Sequence, residues 1–456
     1  MSERHGIGGD PAGALELAAE VTALATAAGA TEAETLVFAG ESALTRFANS
    51  EIHQNVSSAE VFVNLRFVKG KRIGVASSGA TDHEGLRDLV TRAREIAANV
   101  DELEDWAGLP EAEPPVPVEA AWSAGTATAT PELRAEGARA VIAACDDARV
   151  TAFGAFSTDT EAVAVANSKG IRAAEKRTQS QLLTVTMGPD GGTGYAERGS
   201  VDATAIDAAA VGREAAERAR VSAHPVDIEA GDYPVVLHHY AVVDLLDMLG
   251  YLGFSARAVQ EDRSFFEPGK RIGSPLVTIT DDGRNPDGLA AGFDAEGVPK
   301  QRVVLLDAGV CRDLVYDQAT AARVGRRSTG HALPAPNPYG PFPINMAMAP
   351  GDATFDELVQ GMDRGLLVTR FHYTNVVHGK RVVITGMTRD GTFLVESGRV
   401  IAPVRNLRFT MSYLDALAGV EAVGRDRRCL RGFLGGNVVP AVRLSSFSFT
   451  GATRAG

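Results

Sequence analysis

Residues 35–79 read TLVFAGESALTRFANSEIHQNVSSAEVFVNLRFVKGKRIGVASSG, and apolar and polar side chains alternate through most of that length. Alternation with a period of two marks strands that bury one face. Val61, Val63, Leu65 and Phe67 share such a face, and Lys69-Gly70-Lys71 supplies a tight turn before Ile73 and Val75. The stretch is expected to form a meander of several short strands. Before it, Leu17, Val21 and Leu24 repeat at helical spacing, which predicts a helix over 13–28 ending near Gly29. After it, a second helix starts at Thr81 or Asp82, with Leu86, Leu89, Val90, Ala93 and Ala97 on one side.

The same order of elements then recurs. Residues 101–118, DELEDWAGLPEAEPPVPV, form an acidic, proline-rich linker. Beyond it the patterns predict a helix over 131–148, strands over 151–186 with a turn at Asn167-Ser168-Lys169-Gly170, and a helix over 205–219. Asn49-Ser50-Glu51-Ile52 and Asn167-Ser168-Lys169-Gly170-Ile171 hold similar places in the two modules, a pattern of internal duplication. From Gly231 onward the composition shifts to short strands (302–306, 366–371, 381–384, 393–395) among glycine and proline turns. Only two helices stand out there, one over 241–249 and one after a Thr354/Glu357 capping box. Residues 333–343, LPAPNPYGPFP, should be a stiff irregular loop. The expected fold class is α+β: two helix, β-meander, helix modules in the N-terminal half, then a β-rich C-terminal domain. The expected domains are 13–118, 119–228 and 229–456.

At 456 residues the chain exceeds one ordinary core. With 45% hydrophobic and 23% charged residues it has a globular composition. A formal charge of −13 opposes a general affinity for nucleic acid or anionic membranes. Cys145, Cys311 and Cys429 lie far apart with no CxxC spacing, which suits a reducing cytoplasm. MSERHGIGGDPAG lacks the basic-then-apolar order of a secretion signal, and no apolar run reaches the ~20 residues of a membrane span. A cytoplasmic chain is expected.

His238 and His239, in VVLHHYAVVDLLDMLG (235–250), raise the question of a metal site. Zinc needs at least three converging side chains. Four residues on stand Val242 and Val243, Asp244 is the one further ligand type, and Tyr240 stands where a catalytic glutamate would follow. A strand-to-helix turn with partly exposed imidazoles is the simpler reading. His372 and His378 lie about 20 Å apart along a strand and cannot share an ion. Cys429, among charged neighbours, has the sequence context of an exposed thiol with a lowered pKa but no histidine nearby. Cys145 lies on an apolar helix stripe and belongs to the core. GPDGGTG (188–194) lacks the Gly-Lys-Ser/Thr ending of a phosphate loop and reads as a hairpin turn. Arg326 and Arg327 could grip a carboxylate, though a solvated loop pair is the simpler reading.

Arg370, Tyr373, Thr374 and Asn375 interrupt an apolar strand, and Arg389 follows in the next polar stretch. Unpaired polar groups in a buried strand cost about 1–3 kcal/mol each, so these residues either cap strand ends or line a groove for peptide backbone.

FANSEIHQNVSSAEVFVNLRFVKGKRIGVASS (47–78) resembles the first domain of the TldD/PmbA family. GLLVTRFHYTNVVHGKRVVITGMTRDGTFLVESGRVIAPVRNLRF (365–409) resembles its C-terminal domain. The resemblance runs from about Gly13 to Thr450. It implies a cytoplasmic metallopeptidase system of two related subunits that trims unfolded or extended peptides, including precursors of peptide antibiotics. In that family the TldD type binds zinc through a helical His-Glu-x-x-x-His motif and a distal cysteine, and the TldE or PmbA type lacks the motif. The motif follows a leucine pair, matched here by Leu245 and Leu246. Asp247, Met248 and Leu252 then occupy the places of the first histidine, the glutamate and the second histidine. Methionine accepts no proton and leucine binds no metal.

The resemblance therefore implies a PmbA/TldE-type subunit with no catalytic residue, metal or cofactor of its own. Zinc is expected in a TldD-like partner, in a heterodimer, with a homodimer as the other possibility; the substrate is peptide, and no nucleic acid or membrane is involved. One rival is a metallopeptidase active alone through His331, His372, His378 or Cys429. The other is a binding or regulatory protein without a protease partner, in line with the family's description as a modulator of DNA gyrase.

Overall fold

Asp10 caps the first helix, Pro11–Ala27, by accepting from Ala12 N, and Pro11 enters where a backbone N–H has no helical partner to lose. The computed structural model describes residues 9–114, 116–432 and 435–452, so most of the amino-terminal stretch discussed above lies outside the described residues. After this helix come β1 (Glu32–Ala48), β2 (Glu51–Lys69), β3 (Arg72–Ser78) and a helix, His83–Asn99. All five residues expected on that helix's apolar stripe are buried.

The meander is made of long strands, not short ones. β1 and β2 pair from Glu32↔Val68 to Ala48↔Glu51 with one register shift between Arg46 and Phe47, and Asn49 and Ser50 turn the chain with φ of 52° and 59°. The exposure of residues 55–60 hides this, because a strand wet on both faces has no alternation to read.

The second module repeats the first: helix Pro131–Asp147, strands β4 (Thr151–Asn167), β5 (Arg172–Met187) and β6 (Thr193–Ser200), then helix Ala208–Val221. The modules share one antiparallel sheet in the order β3-β2-β1-β4-β5-β6, joined where β1 pairs β4 from Glu34↔Asn167 to Phe47↔Gly154. Each pair of helices packs over its own part of this sheet in a separate apolar cluster.

The C-terminal domain is built on an eleven-stranded sheet. At its centre strand Gly231–Leu237 lies between Arg364–His378, parallel, and Gly436–Ala452, antiparallel. The segments expected at 381–384 and 393–395 belong to a single strand, Val383–Glu396, and the one at 366–371 extends over Arg364–His378. Thr388, Asp390 and Thr392 are buried inside that longer strand and break its apolar pattern. Besides the two expected helices, short ones occur at Ala256–Gln260, Gln318–Ala322 and Tyr413–Ala418. Among the described residues no helix is long and apolar enough to cross a membrane.

Candidate functional site

Strand Gly231–Leu237 ends at the sheet's core, and His238 turns the chain into helix His239–Leu252. Both histidines are only 3% exposed, which corrects the expectation of partly exposed imidazoles. Their rings pack edge to face at 4.8 Å, and Tyr240 stacks on His238. They are buried because Phe355 and the central domain's arginines close over the turn. Arg218 Nη2 lies 2.7 Å from His238 Nε2. A guanidinium can only donate, so that nitrogen accepts and the ring proton sits on Nδ1. His239 Nε2 meets the Asp426 carbonyl at 2.9 Å and is therefore the protonated nitrogen. Burial, reinforced by Arg218, holds His238 well below its ordinary pKa, and burial lowers His239 to about 4.

Asp244, one turn into the helix, accepts from the Thr374 hydroxyl and from the Tyr413 phenol, both at 2.7 Å. Both of its oxygens are thus engaged inside the domain, and burial pushes its carboxyl up. Asp247 lies one turn further, where Asn437 Nδ2 donates to its Oδ1 at 2.6 Å. Met248 and Leu252 pack against the main apolar cluster. The backbone that faces Asp247 is Gly432, where an added Cβ would stand 2.5 Å from Asp247 Oδ1 and 2.6 Å from Asn437 Nδ2. Of the residues brought together here, Asp247 supplies a carboxylate, Asn437 an amide, Met248 a thioether and Gly432 no side chain, so the carboxylate is the one ionisable group among these four. Zinc does not fit these residues. Among the described residues no three of His, Cys, Asp and Glu are grouped to hold a metal ion.

The polar residues of strand Arg364–His378 divide into two sets. Arg370 donates through Nε to the buried Asp390 at 2.6 Å and lies over the Tyr195 ring at 4.4 Å, tying the C-terminal domain to β6. Thr374 turns inward to Asp244, and Arg389 turns to His372 Nε2 at 2.7 Å. Tyr373 turns outward, 78% exposed and at φ 56°, a backbone state an aromatic rarely adopts. Asn375 is exposed and donates to the Tyr373 carbonyl. Strand Gly231–Leu237 pairs with strand Arg364–His378 at Leu366–Val368, so on that side the edge of Arg364–His378 from Thr369 onward has no strand beside it among the described residues.

The remaining candidates stand apart. His331 is buried, 2.8 Å from Asp281 Oδ1, and His378 accepts from Arg381 N on the hairpin end. Burial, with Glu197 and Asp287 nearby, raises Cys429 to about 12, the opposite of the lowered pKa that its charged neighbours suggested. Arg326 and Arg327 are both exposed in a loop, and Arg326 holds its own chain's Asp313 by two surface bonds, of 2.6 and 2.8 Å. Sequence reasoning missed Gly432 and Asn437, whose partner Asp247 lies far away in the chain, and Asp390, which pairs with Arg370 on the neighbouring strand.

Three family models match this chain in order. Residues 33–97 match the PmbA/TldA metallopeptidase domain 1, 126–223 the central domain and 230–451 the C-terminal domain. The chain belongs to the PmbA/TldD family. Among similar PmbA/TldD sequences, the metalloprotease TldD homologue of Buchnera aphidicola is 27% identical over 223 residues, 47% of this chain and 45% of that one. A metalloprotease of Methanothermobacter thermautotrophicus is 32% identical over 179 residues, 38% of each chain. The matched region thus spans less than half the length of either curated relative. The structure of TldE from Thermococcus kodakarensis superposes with a TM-score of 0.88 at 18% identity, covering 95% of this chain and all 100% of that one. A candidate modulator of a DNA gyrase from Thermotoga maritima superposes with a TM-score of 0.85 at 20% identity, covering 95% and 99%. At these identities the likeness establishes the PmbA/TldD fold.

Proposed function

We propose that this chain is a PmbA/TldE-type subunit without hydrolytic chemistry of its own, which pairs with a TldD-like zinc metallopeptidase and helps form the path for its substrate. The observation that carries this reading is the corner of Asp247, Met248, Leu252 and Gly432, where no set of three metal ligands is assembled among the described residues and Met248 stands in the place of the catalytic glutamate. The proposed substrate is unfolded or extended peptide. The unpaired edge of strand Arg364–His378, with Tyr373 and Asn375 outward, can add a peptide strand through backbone hydrogen bonds that read no particular sequence. Arg370, Thr374 and Arg389 would act there by fixing the strand's shape, since their polar groups are engaged within the chain. The proposed site of action is the cytoplasm, in keeping with three free cysteines.

The test is to purify the chain alone and together with a His-Glu-x-x-x-His partner, then measure zinc content and cleavage of an unfolded peptide. The reading expects zinc and full cleavage only in the pair. Stoichiometric zinc and cleavage by the chain alone would overturn it.

A further inference from the structure

The seam between the first domain and the C-terminal domain holds more acid than base. Glu34 on β1 faces Arg66 on β2, Oε1 to Nε at 3.4 Å, and the same guanidinium reaches Glu296 of the C-terminal domain at 3.2 Å. Asp317, at the start of helix Gln318–Ala322, and Asp294 bring further carboxyls to Glu296. Lys300 faces Asp294, Asp281 on strand Ile279–Asp281, and Glu175 and Arg177 on β5. Asp281 is also paired with His331.

Glu34, Asp281, Asp294, Glu296 and Asp317 are all buried. The cations among them are Arg66 and Lys300, the latter with its pKa lowered by burial, while Arg177 is committed to Glu175 and to the Phe293 carbonyl. Among the described residues, Glu34 Oε2 and the Lys300 ammonium have no hydrogen-bond partner. Backbone N–H groups of Glu296, Val298 and Ala332 meet Asp294, and that of Gln318 meets Glu296, but these are dipoles and not full charges, so five buried carboxyls beside two cations leave charge uncompensated if all ionise.

We infer that this seam is a proton-held latch between the two domains: with protons on the Glu34, Glu296 and Asp294 cluster it closes, and as they leave, the carboxylates repel and the seam loosens. Burial, opposed only in part by Arg66, pushes Glu34 up to about 7, and burial with Glu296 beside it pushes Asp294 up to about 8. Both values lie above the ordinary 4.5 and 3.8, so the folded chain keeps protons that the unfolded chain has released. Stability therefore falls as pH rises from the ordinary carboxyl range to about 8 and is level beyond it. Neutral ties such as Asn64 Nδ2 to the Ala335 carbonyl, at 2.6 Å, keep the domains joined while the seam loosens.

The chain carries its own reporter. Trp106 donates to Glu32 at 2.9 Å and its ring lies 6.0 Å from the Arg66 guanidinium. The experiment follows Trp106 fluorescence and the infrared carbonyl band of protonated carboxyls in the full chain, with Trp122→Phe to remove the second indole, across about pH 5 to 9. The latch predicts that the carbonyl band persists at about pH 6 and disappears together with a fluorescence transition centred between about 7 and 8. The shape-matched variants Glu34→Gln and Glu296→Gln should each weaken the band and move or abolish the transition. A wild-type chain with no such band at about pH 6, or a transition unchanged in both variants, overturns the proposal. The wild-type spectrum decides the matter even if a variant fails to fold.

Discussion

Gly432 faces Asp247 so closely that a Cβ on it would stand 2.5 Å from the carboxylate oxygen. If the helix registers with the family's zinc motif as the leucine pair implies, Gly432 is the position from which a thiol would reach the same point. The combined substitution Asp247→His, Met248→Glu, Leu252→His and Gly432→Cys is predicted to retain about one zinc per chain after dialysis, because it supplies three ligands and a base. The wild-type chain and Asp247→His alone should retain none. A folded quadruple variant without zinc, by elemental analysis, would show that the alignment is misplaced.

Asp390 is 1% exposed and holds Arg370, which in turn covers Tyr195. Asp390→Ala strands a guanidinium between two domains and should destabilise the fold by about 3 kcal/mol. Urea denaturation would measure this, and a loss under about 1 kcal/mol would mean that solvent rescues the arginine.

His238 and His239 oppose folding in acid. Their folded pKa values are depressed, so the stability they contribute is fully present above the ordinary 6.5 and is lost as pH falls, through about 4 for His239. His239→Gln should flatten the acid limb of a melting-temperature profile and leave the alkaline limb set by Glu34 and Asp294. An unchanged acid limb would place the sensitivity elsewhere.

Tyr373→Gly relieves a left-handed backbone at an exposed position. Stability should stay within about 1 kcal/mol, since the strain relieved and the freedom given to the unfolded chain are similar in size. Capture of an unfolded peptide by the paired assembly should weaken about tenfold, the loss of one aromatic contact of about 1.4 kcal/mol. Equal peptide binding by the variant would remove this edge from the substrate path.

Much of the architecture is legible in the sequence because burial there follows a simple period. The stripe from Leu86 to Ala97, the turn at Gly70 and the Thr354/Glu357 capping box all lie where the residues place them. Strand lengths were less legible: β2 runs on through residues wet on both sides, and Val383–Glu396 buries Thr388, Asp390 and Thr392 because each finds a partner or a tight fit. The site itself is a matter of distance in the chain. Asp247 and Gly432 come from opposite ends of the C-terminal domain, and only folding shows that one faces the other. Local spacing likewise could not show that His238 would be enclosed by Arg218 of the preceding domain.

The pairing of β1 with β4 has a consequence for how the chain is put together. Each amino-terminal module, taken alone, would expose a 14-residue ladder edge, Glu34–Phe47 in one and Gly154–Asn167 in the other. Fused, each module satisfies the other, as two subunits of a dimer would, and only β3 and β6 are left as outer strands. Both outer strands are covered by a helix of their own module, and β6 also packs against strands Val383–Glu396 and Val420–Arg431 of the C-terminal domain. A unit symmetric in its strands is thus asymmetric in its contacts: the C-terminal domain meets it at β6 and also, through Arg66 and Asn64, at β2.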